Sequence, residues 1–160
     1  MAQHRPALAM TLIIAFLTAA TAGLGAVVTG GSDDLWYAAL NKPSFNPPDI
    51  AFSVVWPILF TLMAIGAILV RIKAGSFDAA SGPLGLYFTQ LAINLSWSWL
   101  FFGFQQVALA MAALVALWLL IIAMMRSFSK HSIAAAVLQI PYLIWVTFAG
   151  YLNVSILGLN

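Results

Sequence analysis

The sequence predicts an all-α membrane protein: a five-transmembrane-helix bundle with a long structured first loop, forming a single domain over residues 1–160. Three observations lead there. Only 6% of the chain is charged and 64% is hydrophobic, whereas a soluble domain carries about 25% charged residues. The few charges are also clustered. None interrupts the runs 6–32, 50–70, 79–125 or 132–160, the last of which follows Lys130 and His131. Within the runs the apolar residues are continuous, as in Leu12-Ile13-Ile14-Ala15-Phe16-Leu17, where a membrane β-strand would alternate over ~10 residues.

A transmembrane helix needs about 20 predominantly apolar residues. The runs 6–32, 50–70 and 132–160 each fit one span, and 79–125 fits two. Gly103, Gln105 and Gln106 suit a tight turn near its middle. The expected spans are therefore 7–28, 50–72, 83–102, 107–127 and 133–155. In the first, Ala20-Thr21-Ala22 also fits a signal-peptide cleavage site, but the apolar run exceeds the ~7–15 residues of such a segment. Lysine and arginine set the orientation. Arg5, Arg71, Lys73, Arg126 and Lys130 fall on one side and only Lys42 on the other. This places the N-terminus in the cytoplasm if the protein sits in an inner membrane.

The first loop, 29–48, leaves the first helix through Gly30-Gly31-Ser32. Asp33 or Asp34 can cap a short helix, Leu35-Trp36-Tyr37-Ala38-Ala39-Leu40. Pro43, Pro47 and Pro48 then fix φ and keep the rest non-helical. Trp36, Tyr37 and Phe45 fit an interfacial aromatic belt. Belt anchoring does not require three prolines in six residues, which favours a stiffened lid over the open end of the bundle.

Helical residues at i, i+4, i+7 and i+11 share a face. Phe52, Trp56, Phe60 and Met63 do so in the second span, and Gln90, Asn94, Trp97 and Phe101 in the third. Trp145, Ala149 and Asn153 lie on one broad face of the fifth. Polar groups at membrane depth face the bundle interior or a cavity. Interhelical hydrogen bonds explain Gln90 and Asn94 equally well, and core packing or lipid contact explains Trp56 and Trp145. Pro57 and Pro141 free the carbonyls of Ser53 and Val137 and introduce kinks. Ala19, Ala22, Gly23 and Ala26 permit close helix contact, within one chain or in a dimer.

The chain contains no cysteine, His4 and His131 lie in flanks, and the four acids, all aspartates, stay outside the spans. Thiolate chemistry, an axial haem ligand and a buried proton relay are therefore not expected. No resident metal or cofactor is expected, nor a nucleic-acid partner. An apolar, indole-rich, amide-dotted interior suits a flat hydrophobic ligand with a few polar edges.

Longer motifs carry a resemblance. Trp36-Tyr37-x-x-Leu40-x-Lys42-Pro43-x-Phe45-x-Pro47-Pro48 resembles the first-loop signature of the TspO/MBR family, which includes the translocator protein or peripheral-type benzodiazepine receptor. Val55-Trp56 to Leu62-Met63, Gln90-Leu91-x-x-Asn94-x-x-Trp97-Ser98 to Phe101-Phe102, Leu117-Trp118, Pro141-Tyr142-Leu143-Ile144-Trp145 and Phe148 to Asn153 continue it across nearly the whole chain. The resemblance implies a five-helix bundle that often dimerises, with a cavity opening toward the first loop that binds porphyrins such as protoporphyrin IX. Carried over by position, the ligand-binding candidates are Trp36, Tyr37, Pro47, Trp56, Asn94, Trp97, Trp145 and Ala149. Some bacterial members are described as degrading protoporphyrin in light, and the tryptophans implicated match Trp56 and Trp145, which would be catalytic only in that case. One departure is clear: Tyr151 is followed by no basic residue, so the cholesterol motif of animal members is incomplete.

Three functions follow as expectations. The first is a membrane receptor, sensor or transporter for tetrapyrroles, the second a photo-oxidative porphyrin-degrading enzyme, and the third a structural membrane protein without a ligand. The expected partners are a porphyrin or other flat hydrophobic molecule, the lipid bilayer and a second copy of the chain.

Overall fold

A computed structural model describes residues 4–29 and 35–160, with side chains from residue 8 onward. The Gly30-Gly31-Ser32 exit, the Asp33 or Asp34 cap and the Arg5 side chain lie outside the described residues. All regular structure among them is helical: α1 His4–Thr29, α2 Leu35–Ala39, α3 Asp49–Lys73, α4 Phe77–Ser98, α5 Val107–Ser129, α6 Ile133–Val137 and α7 Ile140–Leu159. A π-helical turn, Trp99–Gly103, extends α4.

Four helical stretches are long and apolar enough to cross a membrane: 8–29, 49–73, 107–129 and the α6–α7 unit, 133–159. Helix α4 is not among them. It has 22 residues, enough at about 1.5 Å per residue for the roughly 30 Å hydrocarbon core. However, Gln90, Asn94 and Ser98 lower its apolarity, and all three are buried inside the protein.

Helix α4 also starts six residues before the expected span. Gly75, at φ 75°, reverses the chain after α3. Ser76 then caps the new helix by accepting the Ala79 amide at 3.2 Å, and Asp78 lies in the first turn, where a negative charge complements the helix dipole. The turn after α4 falls at the expected Gln105 and Gln106. Gln105, not Gly103, takes the left-handed conformation, at φ 57°. Gly103 is needed for close approach instead, because a Cβ there would meet the Trp99 ring at 3.0 Å and Val28 at 3.2 Å.

The fifth expected span is broken in two. Pro141 falls in the first turn of α7, where its missing N–H costs nothing, and the chain ends α6 before it. At the break, the fully buried Gln139 side chain donates to the Ala135 carbonyl at 3.2 Å. Pro57, by contrast, is accommodated inside a continuous α3.

In the bundle, α1 packs on α3 and α4, α4 on α5, and α5 on α7. Helix α3 packs closely on α6 but touches α7 at few points. The core is apolar, built on Ile14, Met63, Ala67, Tyr87, Leu117, Ile121, Phe128 and Tyr142. Helix α1 turns Ile14, Thr18 and Thr21 inward, and Thr18 shares a 2.6 Å hydrogen bond with the Tyr87 hydroxyl. Of its small residues only Ala22 packs on the core, whereas Ala19, Gly23 and Ala26 face outward.

Candidate functional site

The sparse contact between α3 and α7 is filled by rings. Trp56 on α3 and Trp145 on α7 meet edge-on, with centroids 6.5 Å apart and planes at 84°. Phe52 lies 5.5 Å from Trp145, Phe60 5.5 Å from Trp56 and Tyr142 6.4 Å from Trp56. Phe148, one turn along α7 from Trp145, packs on it at 5.8 Å and receives Phe45 of the first loop at 6.0 Å. These spacings are typical of favourable edge-to-face aromatic pairs.

A second cluster stands on α4 and its π turn. Trp97 lies 5.7 Å from Phe101. Trp36 and Tyr37 of the short α2 helix rest on the same ring at 5.6 and 6.2 Å, and Tyr37 also meets Phe102 at 5.5 Å. The π turn makes this seat possible, because an extra residue per turn brings the adjacent Phe101 and Phe102 to face α2 together.

Between the clusters lies an apolar cavity of about 30 Å³, lined by Tyr37, Phe52, Trp97, Phe101, Ala149 and Asn153 among others. This is far below the ~300–1,000 Å³ of a pocket for a drug-sized ligand. The cleft thus holds little free volume, its space taken up by its own aromatic side chains.

Two polar networks lie near it, of which Trp97 and Asn153 reach the lining. Asn94 donates from Nδ2 to the Tyr142 hydroxyl at 2.9 Å, and that hydroxyl donates to Gln90 Oε1 at 2.9 Å. All three residues are buried. Trp97 Nε1 donates to Asn153 Oδ1 at 3.3 Å, and Asn153 Nδ2 donates to the Val107 carbonyl at 3.0 Å, tying α7 to the start of α5. Gln90 Nε2 and Gln139 Oε1 are buried without a partner.

The structure brings Trp56 and Trp145 together and puts Tyr37, Trp97 and Ala149 around the cavity. Trp36 stands beside Tyr37 on Phe101. Asn94 lies deeper, committed to Tyr142. Pro47 is half-buried in the loop, its carbonyl accepting Asn46 Nδ2 at 3.1 Å. Tyr142 is absent from the sequence candidates. Its spacing of three residues from Trp145 is the signal that would have found it, since i and i+3 share a helix face. Trp99 and Trp118 are exposed on the outer surface and take no part.

No metal-binding group of His, Cys, Asp or Glu occurs among the described residues. Lys42 borders the site, its ammonium 4.6 Å from the Tyr37 ring centre. Burial raises the Tyr37 pKa, the Asp49 charge adds to this, and the Asn46 hydrogen bond partly offsets it. A raised phenol is neutral in the fold, so the seat of α2 is intact below the ordinary tyrosine pKa of ~10 and is lost as pH climbs through the folded value. Tyrosinate absorbance in a pH titration is expected to show Tyr37 ionising above the ordinary tyrosine value, and an early-titrating Tyr37 would contradict its burial.

Comparison with known proteins gives a consistent picture. The chain matches the TspO/MBR family over residues 4–159. It is 40% identical over 138 residues to the "Tryptophan-rich protein TspO" of Chlorobaculum tepidum, covering 85% of this chain and 86% of that protein. It is 40% identical over 152 residues to the "Tryptophan-rich sensory protein" of Cereibacter sphaeroides, covering 93% and 91%. It is 39% identical over 131 residues to the "Translocator protein" of Bos taurus, covering 81% and 78%.

Proposed function

The chain belongs to the TspO/MBR family of membrane proteins, and from that premise we propose that it is a multi-pass receptor, sensor or transporter for a tetrapyrrole such as protoporphyrin IX. The observation that carries this reading is the ring-lined cleft between α3 and α7, with Trp56 and Trp145 at its centre and the first loop above it. A flat macrocycle would replace ring–ring contacts with ring–macrocycle contacts. Trp36, Tyr37, Pro47, Trp97 and Ala149 would border it, with Asn94 beneath. With so little free volume in the cavity, binding of a macrocycle parts α3 from α7 or lifts the loop.

In this reading α4 is the fifth membrane span, its amides shielded by α3, α5 and α7. The N-terminus is cytoplasmic in an inner membrane, since lysine and arginine concentrate at the ends of α3 and α5. The protein acts as a homodimer.

Titrating the detergent-purified protein with protoporphyrin IX tests the reading. Tryptophan fluorescence is expected to quench saturably, at micromolar concentration or below. Replacing both Trp56 and Trp145 by alanine is expected to weaken binding about 100-fold, each ring removing about 1–2 kcal/mol of stacking and burial. Unchanged affinity in the double variant would place the ligand elsewhere.

The perpendicular contact of Trp56 with Trp145 favours one further reading, light-driven oxidative porphyrin degradation with dissolved dioxygen as the oxidant, in which the adjacent indoles exchange electrons with the excited macrocycle. Illuminated protein should then bleach the porphyrin Soret band, while the Trp56→Phe, Trp145→Phe variant should not. Equal bleaching in both rejects the enzymatic reading and leaves the binding one standing.

A further inference from the structure

The first loop is held down at three places. Trp36 and Tyr37 are seated on Phe101 and Phe102, and Phe45 on Phe148. Between these aromatic anchors lies a polar one. The Asn41 amide N–H donates to Asn160 Oδ1 at 3.0 Å, and Asn160 Nδ2 donates back to the Asn41 carbonyl at 3.1 Å. The side-chain amide of Asn160 thus pairs with the Asn41 backbone as a neighbouring β-strand would, satisfying donor and acceptor at once. Asn41 Nδ2 reaches the Leu159 carbonyl at 3.3 Å, and Asn160 Nδ2 is itself held by the Ile156 carbonyl at 2.9 Å. Three hydrogen bonds therefore join the middle of the loop to the end of α7, 119 residues away in sequence, and a fourth steadies Asn160 on its own helix.

We infer that Asn41 and Asn160 are positioning residues that clamp the loop over the cleft and set the rates of ligand uptake and release. This rests on the binding reading above. The cavity beneath Tyr37 is about 30 Å³, so a large ligand passes only if something above or beside it moves. The aromatic anchors give up buried apolar contact when they lift, and water offers nothing in return. The asparagine bonds are exposed, and water can replace each of them, so each is modest on its own and cheaper to break than an aromatic anchor, while together they still hold the loop down. The clamp is therefore the part of the loop that yields first. The two asparagines also act as one unit, because removing either side chain dissolves the reciprocal pair or strips it of its support.

Because the clamp is present in the closed state and absent in the open one, losing it changes opening more than it changes contacts with a bound ligand. Stopped-flow quenching by protoporphyrin IX is expected to show association and dissociation both about tenfold faster in Asn160→Ala, corresponding to about 1.4 kcal/mol, with Kd within a factor of three of the parent. Asn41→Ala is expected to fall short of this, since its backbone still pairs with Asn160. The Asn41→Ala, Asn160→Ala double variant should match Asn160→Ala, not exceed it. Rates in Asn160→Ala equal to the parent, or a double variant that multiplies the two single effects, overturn the inference.

A ligand-free readout separates this from the binding proposal. Hydrogen exchange at the Asn41 amide, a donor in the clamp, should quicken in Asn160→Ala, while exchange in the core of α5 stays unchanged. If porphyrin fails to quench the parent protein, the binding reading falls. If Asn41 exchange is unaltered, the clamp falls whatever the porphyrin does. A general loss of protection across α5 would show that Asn160 serves overall stability, and would also overturn the positioning role.

Discussion

Replacing Tyr142 by phenylalanine is expected to destabilise the bundle by about 2–4 kcal/mol, because two buried groups lose their partner at once. The Tyr142 hydroxyl accepts from Asn94 and donates to Gln90. Its ring is buried, so phenylalanine preserves the packing and removes only the oxygen. Asn94 Nδ2 and Gln90 Oε1 would then join Gln90 Nε2, which already lacks a partner. Interhelical hydrogen bonds in membranes average only ~0.6 kcal/mol. That average describes bonds whose partners find substitutes, and here substitutes are absent, since Gln90 would be left with no bonded side-chain atom in a closed core. The asymmetry between a missing bond and an orphaned group supplies the control. Tyr142→Phe combined with Gln90→Leu and Asn94→Leu removes the orphans and should recover part of the loss. Unfolding in mixed micelles of increasing SDS, followed by tryptophan fluorescence, measures both. A single variant within 0.5 kcal/mol of the parent would mean that water reaches the network.

The same network shows what was legible in the sequence. The i, i+4 spacing of Gln90 and Asn94 marked an inward face of α4, and both are buried. Periodicity reports which side of a helix faces in, and it did so for Phe60, Met63 and Asn153 as well. It cannot report which residue on another helix stands opposite. The partner of Asn94 is Tyr142, 48 residues away and just past the break that starts α7. Pro141 announced an irregularity, but whether a proline kinks a helix or starts a new one depends on what satisfies the freed carbonyls. Pro57 stands inside a continuous helix, whereas Pro141 starts a new one. The apolar count likewise misjudged the start of α4, because a short cap of Gly75 and Ser76 outweighed the polar composition of residues 77–82. The site candidates were readable as a group of aromatic positions. Their closure into a cavity of about 30 Å³ was not, since it follows from ring orientations that no spacing encodes.

Enlarging Gly66 is expected to be among the most disruptive changes in the protein. Helix α3 meets the α6–α7 break at this residue, where a Cβ would overlap the Gln139 amide nitrogen and meet the Ala135 carbonyl oxygen at 3.0 Å. The two obstacles differ in kind. Gln139 presents the end of a flexible side chain, although that amide is bonded to Ala135 and has no open space to swing into. The Ala135 carbonyl is backbone and moves only if α6 moves. Gly66→Ala should therefore cost about 1–3 kcal/mol, the range for overpacking a filled core, and Gln139→Ala in the same chain should restore much of it. Gly66→Val should cost more and resist rescue, because its second methyl group meets the carbonyl regardless of Gln139. The SDS titration separates these cases. Rescue of both variants would show that α6 yields easily, while rescue of neither would show that the backbone contact dominates already for alanine. Function should follow geometry. Close packing at Gly66 fixes one end of α3 against the α6–α7 unit, and the aromatic cleft lies where the two diverge. A wedge at the fixed end changes the angle between them and with it the 6.5 Å separation of Trp56 from Trp145. Gly66→Ala is accordingly expected to shift the tryptophan emission maximum in the folded protein, and the Gln139→Ala rescue to return it.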